Sequence, residues 1–554
     1  MGARGITGIN VSVCVLYLFV TSVVCLQVVP NILQQGGQED RGENARMQCY
    51  IGAIAIGDMM KSTLGPRGMD KILMPMGGEG GFVQKQAVTN DGATILNSIW
   101  IDNPAARILV DVSKRQDQEC GDGTTGVVVL AAELLRVAEK LVDRRVHPQT
   151  IISGFLMALE TAKECLVGVS FQSTDDAQLR ENLMRIAKTT LSSKILSHDK
   201  EHFAGLAVEA VMRLKNKNNL SLIQILKKKG GICSESRLDE GFILEKRFST
   251  GHRKRIEDAK IMVANTPMDT DKIKILGAKV NAEDFDTVAN IEQAEKEKMK
   301  RKVEKIAAHG CNVFINRQLI YNYPEQLLKE RGVSAIEHSD FDGMERLAAA
   351  LGAEIVSTFD SPEMVKLGTC RLVEEVLIGE EKAVRFSGCE QPEACTIILR
   401  GANEHVLDEA ERSLHDALAV VAQTCQQPLV VCGGGAAEMA MAGAVEKRAQ
   451  TVEGKAALAM QGFADALRAI PTVLLDNGGF DSAEIVAKLR SCHAFDSHFG
   501  VDIAAGDVGN MRELGVYESY KAKHAQLCAA VEAAVQIIRV DNVIRCAPRQ
   551  RQEE

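Results

Sequence analysis

The 554-residue sequence predicts a multidomain α/β protein, mostly helical toward both ends and richer in short strands in the middle. Three observations carry that reading. The chain is longer than one compact domain usually holds, so two or three domains are expected. Helical apolar periodicity recurs toward both ends, whereas strand-length apolar runs gather between residues 260 and 337. Glycine-and-acid motifs occur in the first quarter and again after residue 400, with nothing comparable between them. The two ends are therefore expected to fold together around an inserted middle.

Hydrophobic residues make up 46% and charged residues 25%, the balance of an ordinary globular protein. The net charge of -9 provides no broad basic footprint for nucleic acid. Aromatics are only 4%, which disfavours a base-stacking or carbohydrate-binding surface. The 15 cysteines show neither C-x-x-C pairs nor a histidine-rich partner segment. That spacing argues against zinc and for reduced cysteines packed as small hydrophobes in a reducing compartment.

The N-terminus departs from this picture. Gly5 to Gln38 carries no charge, and Val11 to Val29 (VSVCVLYLFVTSVVCLQVV) is almost wholly apolar. Its length suits a membrane span or the core of a signal peptide behind Arg4. The run ends without a small-residue cleavage site, and the cysteines of the body suit a reducing compartment. Residues 1–28 are thus expected to be an extension outside the working structure of a cytoplasmic protein, with no membrane partner.

Several helices can be placed. Thr125 to Val142 (TGVVVLAAELLRVAEKLV) is apolar and then amphipathic. Glu404 to Gln423 sets Leu407, Ala410, Leu414, Leu418 and Val421 on one stripe. Asp416 falls opposite that stripe, near Glu409 and Arg412, on a face expected to be polar. Lys455 to Leu467 and Ala525 to Arg539 also have helical spacing. In the middle, Lys260 to Asn265, Val313 to Asn316 and Ala335 to Glu337 have strand length. The charged run Glu292 to Ala308 has only a narrow stripe of Met299, Val303 and Ile306, and is expected to be a solvated helix on a protruding element.

Four motifs bear on chemistry. Thr63 to Lys71 (TLGPRGMDK) contains glycines that let backbone amides approach a phosphate, or that simply make a turn. Thr89 to Thr94 (TNDGAT) offers Asp91 as a ligand for metal or water, or as a turn residue. Gly121 to Gly126 (GDGTTG) leads directly into the Thr125 helix. A helix start has unpaired amides and a positive dipole end, so it attracts phosphate. Asp122 stands where a magnesium ion would bridge protein and phosphate oxygens; a plainly capped helix start is the alternative. Gly433-Gly434-Gly435 follows the apolar run Pro428 to Cys432 and permits close approach to a ligand or a neighbouring helix. GDGTTG also fits G-x-G-x-x-G, but the polar run Lys114 to Cys120 precedes it where a dinucleotide fold needs a strand.

All four motifs, in order and at similar spacing, resemble the group II chaperonins. The likeness runs from about Val29 to Pro548 and is closest to the eukaryotic cytosolic complex. Ile51 to Asp58 (IGAIAIGD), Met268 to Leu276 (MDTDKIKIL) and Asn316 to Leu327 (NRQLIYNYPEQL) look like one particular subunit type. The resemblance implies a chaperonin (GroEL-like) architecture. Its mostly helical equatorial domain would comprise residues 29–167 and 428–554, its intermediate domain residues 168–240 and 394–427. An apical domain with a lid protrusion would span 241–393, with Gly241 and Gly401 near the hinges.

The same resemblance implies ATP and Mg2+ as cofactors and ATP hydrolysis as the reaction. Gly65, Pro66, Asp91, Gly92, Gly123, Thr124, Thr125, Gly126, Lys188, Thr189, Gly434, Glu518 and Lys523 would contact nucleotide. Asp122 would hold magnesium, and Asp91 and Asp416 would serve catalysis, Asp416 by swinging in to position the attacking water. Implied partners are sister subunits in a double eight-membered hetero-oligomeric ring and unfolded clients such as actin and tubulin. The chain also departs from the family. Gly126 replaces the usual Ser or Thr, Pro75 to Val88 is long, and Cys492 to Gly509 matches poorly. Gly126 motivates a rival reading, a ring subunit that binds ATP but hydrolyses it weakly. The apolar N-terminal run would instead suit a secreted or membrane-anchored protein, and a nucleotide-dependent oxidoreductase is a more distant reading.

Overall fold

Long apolar stripes become long helices in the computed structural model, which describes residues 38–74, 86–172, 175–214, 219–268, 285–389 and 395–545. The apolar N-terminal run, most of the long segment 75–88 and MDTDKIKIL from residue 269 onward lie outside the described residues. The chain divides into two compact units. In the smaller one, Gln38–Arg41 pairs antiparallel with Asn542–Arg545, and Arg46 meets Asp541 at 2.5 Å. The larger unit, Cys49–Arg539, holds everything that follows.

Its helical core is built on Thr124–Asp143, in which Val127 to Ala132 are all buried. Burial on every side of its first turns fixes this helix more firmly than a one-sided stripe would. Pro148–Val169, Ala436–Ala449, Lys455–Gly478 and Tyr520–Ile538 pack around it and each other. Lys455–Gly478 runs well past the expected end at Leu467. Pro471 lies inside it, costing a backbone hydrogen bond that the burial of Phe463, Leu467 and Leu475 outweighs. It is also the one described helix long and apolar enough to cross a membrane, yet more than half of that stretch is buried within the fold.

The middle carries its own sheet. Ser334–Ile336, Val313–Asn316, Arg255–Ala264, Gly368–Ile378, Glu381–Cys389 and Phe242–Leu244 are neighbours in that order, and Ile355–Val356 also pairs with Arg255–Ala264. The three expected strands are among them. The charged helix extends over Phe285–Ala308, and its narrow stripe is buried: Met299, Val303 and Ile306 pack with Phe314 and Leu328.

A separate sheet gathers the two chain passages into and out of the middle. Cys395–Gly401 lies parallel to Ile223–Lys229 and antiparallel to Arg237–Glu240. Beyond the last of these strands, Gly241 has φ +111, and a Cβ there would stand 2.0 Å from the Phe386 carbonyl oxygen. No side chain fits either that backbone or that space. Gly241→Ala is expected to destabilise the fold by about 2–4 kcal/mol, readable as a lowered thermal midpoint with secondary structure retained below it.

Candidate functional site

Segments remote in sequence meet around one cavity of about 650 Å3. Two helices open onto it with starts that no side chain caps. Thr124–Asp143 begins after Gly123, which is left-handed at φ 80. Ala436–Ala449 begins after Gly435, at φ 77. Neither start is capped by a side chain, and both lie at the positive ends of helix dipoles, although the Ala436 amide donates to the Gly433 carbonyl at 3.2 Å. Gly434 and Gly435 of the triple glycine and Asp122 to Gly126 of the GDGTTG loop both line the cavity.

Asp91 belongs to the same wall. Its carboxylate caps the short helix Gly92–Ser98, accepting from the Thr94 amide at 2.9 Å and the Thr94 hydroxyl at 2.6 Å. It also accepts from the Thr124 hydroxyl at 3.2 Å, linking the two glycine loops. Burial raises its carboxyl, but Thr94, the Lys194 charge and the Thr124 hydroxyl outweigh this and hold it below the usual carboxylate range. Asp91 is thus anionic and structurally engaged. Gly92 beside it leaves no room for a side chain, since a Cβ would lie 2.7 Å from the Thr125 hydroxyl oxygen.

Asp122 lines the cavity as well. One carboxylate oxygen accepts from the Gly123 amide at 2.7 Å, and the other from the Thr190 hydroxyl at 3.4 Å. Gly65 and Pro66 enter from a turn clamped by Asn477, which donates to the Lys61 and Leu64 carbonyls at 2.8 Å each. Lys188 and Thr189 come from the Asp176–Ser192 helix, Lys188 paired with Glu201 at 2.9 Å. Lys523, which also lines the cavity with Gly434, bridges Glu438 at 2.5 Å and Glu518 at 2.6 Å. Every residue that the sequence assigned to nucleotide or magnesium lines this one cavity.

Asp416 does not line it, and the expected polar face is corrected. The stripe of Leu407, Ala410, Leu414, Leu418 and Val421 is buried, but so are Glu409, Ser413 and Asp416 on the other side of Glu404–Gln426. Asp416 tolerates burial because it forms an ion pair with Lys194, both side chains being about a tenth exposed at 9% and 11%. Lys194 does line the cavity, so Asp416 stands one ion pair behind its wall.

Sequence reading missed other wall residues. Arg185 and Gln526 carry no motif, and topology alone brings them here; Lys194 ends the segment Ala187 to Lys194, of which only Lys188 and Thr189 were assigned. The poorly matching stretch after Cys492 folds into a hairpin, Phe499–Asp502 with Asp507–Asn510, and Val501 to Ala504 line the cavity. The lining carries six cations (Arg67, Arg185, Lys188, Lys194, Lys200, Lys523) and four carboxylates (Asp91, Asp122, Asp502, Glu518), and Arg185, Lys188, Lys194 and Lys523 are ion-paired with Glu181, Glu201, Asp416 and Glu438 behind it.

A profile of the TCP-1/cpn60 chaperonin family matches residues 56–548. The chain belongs to the TCP-1/cpn60 chaperonin family. Its fold is the multidomain α/β chaperonin fold, and its function is that of a chaperonin subunit. T-complex protein 1 subunit beta from Mus musculus is 57% identical over 524 residues, 94% of this chain and 97% of that protein. The Arabidopsis thaliana protein of the same name is 56% identical over 527 residues, 95% and 99% of the two chains. The Saccharomyces cerevisiae one is 55% identical over 514 residues, 92% and 97%. The subunit type that IGAIAIGD and NRQLIYNYPEQL resemble is this beta type, and the likeness is borne out. Among chaperonin-family proteins, this chain is therefore similar to beta subunits over nearly its whole length.

Proposed function

We propose that this chain binds and hydrolyses ATP as one subunit of a chaperonin ring, and that turnover drives closure over a folding client. One observation carries the reading. The Gly-Asp-Gly-Thr-Thr loop, two helix starts without side-chain caps, and several lysine and arginine side chains converge on one cavity. A nucleoside triphosphate is the polyanion that this chemistry suits.

Magnesium fits the donor set in one way. Among the described residues no group of three or more His, Cys, Asp or Glu would hold a metal unaided. Mg2+ is commonly held by one or two carboxylates together with substrate phosphates and water, and Asp122 provides such a carboxylate beside the helix start. A bound magnesium ion would neutralise phosphate charge during transfer. The amides of Thr124, Thr125 and Gly126 would hold phosphate oxygens, with Gly65, Pro66, Gly92, Gly123, Lys188 and Thr189 closing around them. Gly434, Glu518 and Lys523 would take the ribose and base. Asp91 would keep both glycine loops in register at the reaction centre, and Asp416 would orient the attacking water.

Delivery of Asp416 fits a chain of equatorial (29–167 and 428–554), intermediate (168–240 and 394–427) and apical (241–393) domains. In support, the helices around the cavity come from both ends of the sequence, and the middle has its own sheet. Sister subunits in a double ring, actin and tubulin as clients, and a cytoplasmic location complete the proposal. The purified full-length chain, alone and in assembled rings, is expected to turn over ATP only with magnesium. Nucleotide binding without turnover in either state would favour the second reading, a weakly hydrolysing subunit, for which Gly126 is the motivation. Absence of nucleotide binding would defeat both.

A further inference from the structure

Gly126 leaves a gap in the third position of the Thr124–Asp143 helix, and something fills it. A Cβ built on Gly126 would lie 2.4 Å from Nε2 of Gln526 and 3.2 Å from its Cδ. A Cβ on Gly123 would lie 3.5 Å from Oε1 of the same side chain. The Gln526 carboxamide therefore spans the first turn of the uncapped helix, over the two glycines that flank Thr124 and Thr125.

Its own bonding is incomplete. Gln526 is 6% exposed, yet its carboxamide has no hydrogen-bond partner among the described residues. Its carboxamide atoms are not sealed inside the protein, so the donor is open to water or a ligand in the cavity. Both Gln526 and Gly126 line the cavity. On Tyr520–Ile538, Gln526 stands one turn beyond Ala522 and Lys523, which line it too. It thus sits where the wall of Lys523 reaches the phosphate-binding helix start.

We infer that Gln526 is a nucleotide-positioning residue that replaces the side chain missing at 126, donating from Nε2 to a phosphate oxygen of the bound nucleotide. The inference rests on the nucleotide reading above. It adds that the departure at Gly126 is compensated, because a neutral N–H donor from another helix occupies the place of the lost hydroxyl. The two positions are sterically exclusive: a serine at 126 and a glutamine at 526 cannot both keep these positions.

The test is calorimetric titration of the full-length chain with magnesium ADP. Gln526→Met keeps most of the side-chain volume and removes the donor; it is expected to weaken binding about tenfold, the loss of one hydrogen bond to a charged acceptor. Gly126→Ser alone should weaken binding at least as much, through the clash. Gly126→Ser with Gln526→Ala should recover to within about threefold of the parent, since the hydroxyl returns and the space is vacated. Thermal melts without nucleotide separate binding from folding, because a purely structural Gln526 would lower the melting midpoint and leave the affinity of the folded protein unchanged. A parent that binds while Gln526→Met binds equally well overturns the inference, as does a double variant no better than Gly126→Ser. A parent that binds no magnesium ADP overturns the nucleotide reading itself, and the inference with it.

Discussion

Asp416→Ala is expected to lower ATP turnover on the order of a hundredfold while leaving nucleotide affinity within about threefold. The split follows from where the carboxylate sits. Asp416 is outside the cavity lining, so ground-state contacts with nucleotide do not depend on it. Its proposed task, orienting the attacking water, matters only as the transition state forms. The Lys194 ion pair sharpens the expectation. Removing Asp416 leaves a buried ammonium facing the cavity, so affinity should hold or rise rather than fall. The same unpaired charge should lower the thermal midpoint, because breaking a buried pair costs about 3–5 kcal/mol. Asp416→Asn, which keeps the volume, serves as the milder companion. Affinity and turnover falling together in both variants would remove Asp416 from the chemistry.

Asp122→Asn is expected to abolish most of the magnesium dependence of nucleotide binding, an effect of about ten- to a hundredfold at saturating magnesium. Asparagine can still accept from the Gly123 amide, as Asp122 does at 2.7 Å, so the loop should keep its shape. What disappears is the negative charge beside the helix start. Binding of nucleotide without magnesium should therefore change little or improve, since one carboxylate no longer repels phosphate. A magnesium titration that overlays that of the parent would exclude Asp122 as the ligand.

Much of this site was legible because its parts are local. GDGTTG announces itself as a helix start and the triple glycine as a place of close approach, and both prove to precede helices without side-chain caps. TNDGAT likewise becomes a capped turn, with Asp91 as the cap. Val313–Asn316 matched its strand residue for residue, because a short run buried on both faces needs no periodicity to be read. Asp416 was misread because a helical wheel assigns charge to solvent, and only the distant Lys194 reverses that assignment. The helix expected to end at Leu467 runs on to Gly478 through Pro471, because buried contacts of Leu467 and Leu475 carry it past the proline. Gln526 was invisible for a plainer reason: a glutamine in a helix carries no pattern, and its meaning lies wholly in the glycine it covers.

The cavity walls also set a schedule for biosynthesis. They come from residues 63–126, 185–200 and 420–526, so the first part leaves the ribosome long before the last exists. At about 5–20 residues per second, the interval is roughly 20–80 s. Throughout it, Thr124–Asp143 lacks the partners Lys455–Gly478 and Tyr520–Ile538 that cover it in the finished fold. A nascent chain with so apolar a helix waiting for the C-terminal third is an aggregation hazard and a natural substrate for holding factors. Translation slowed after residue 143 would lengthen the exposure.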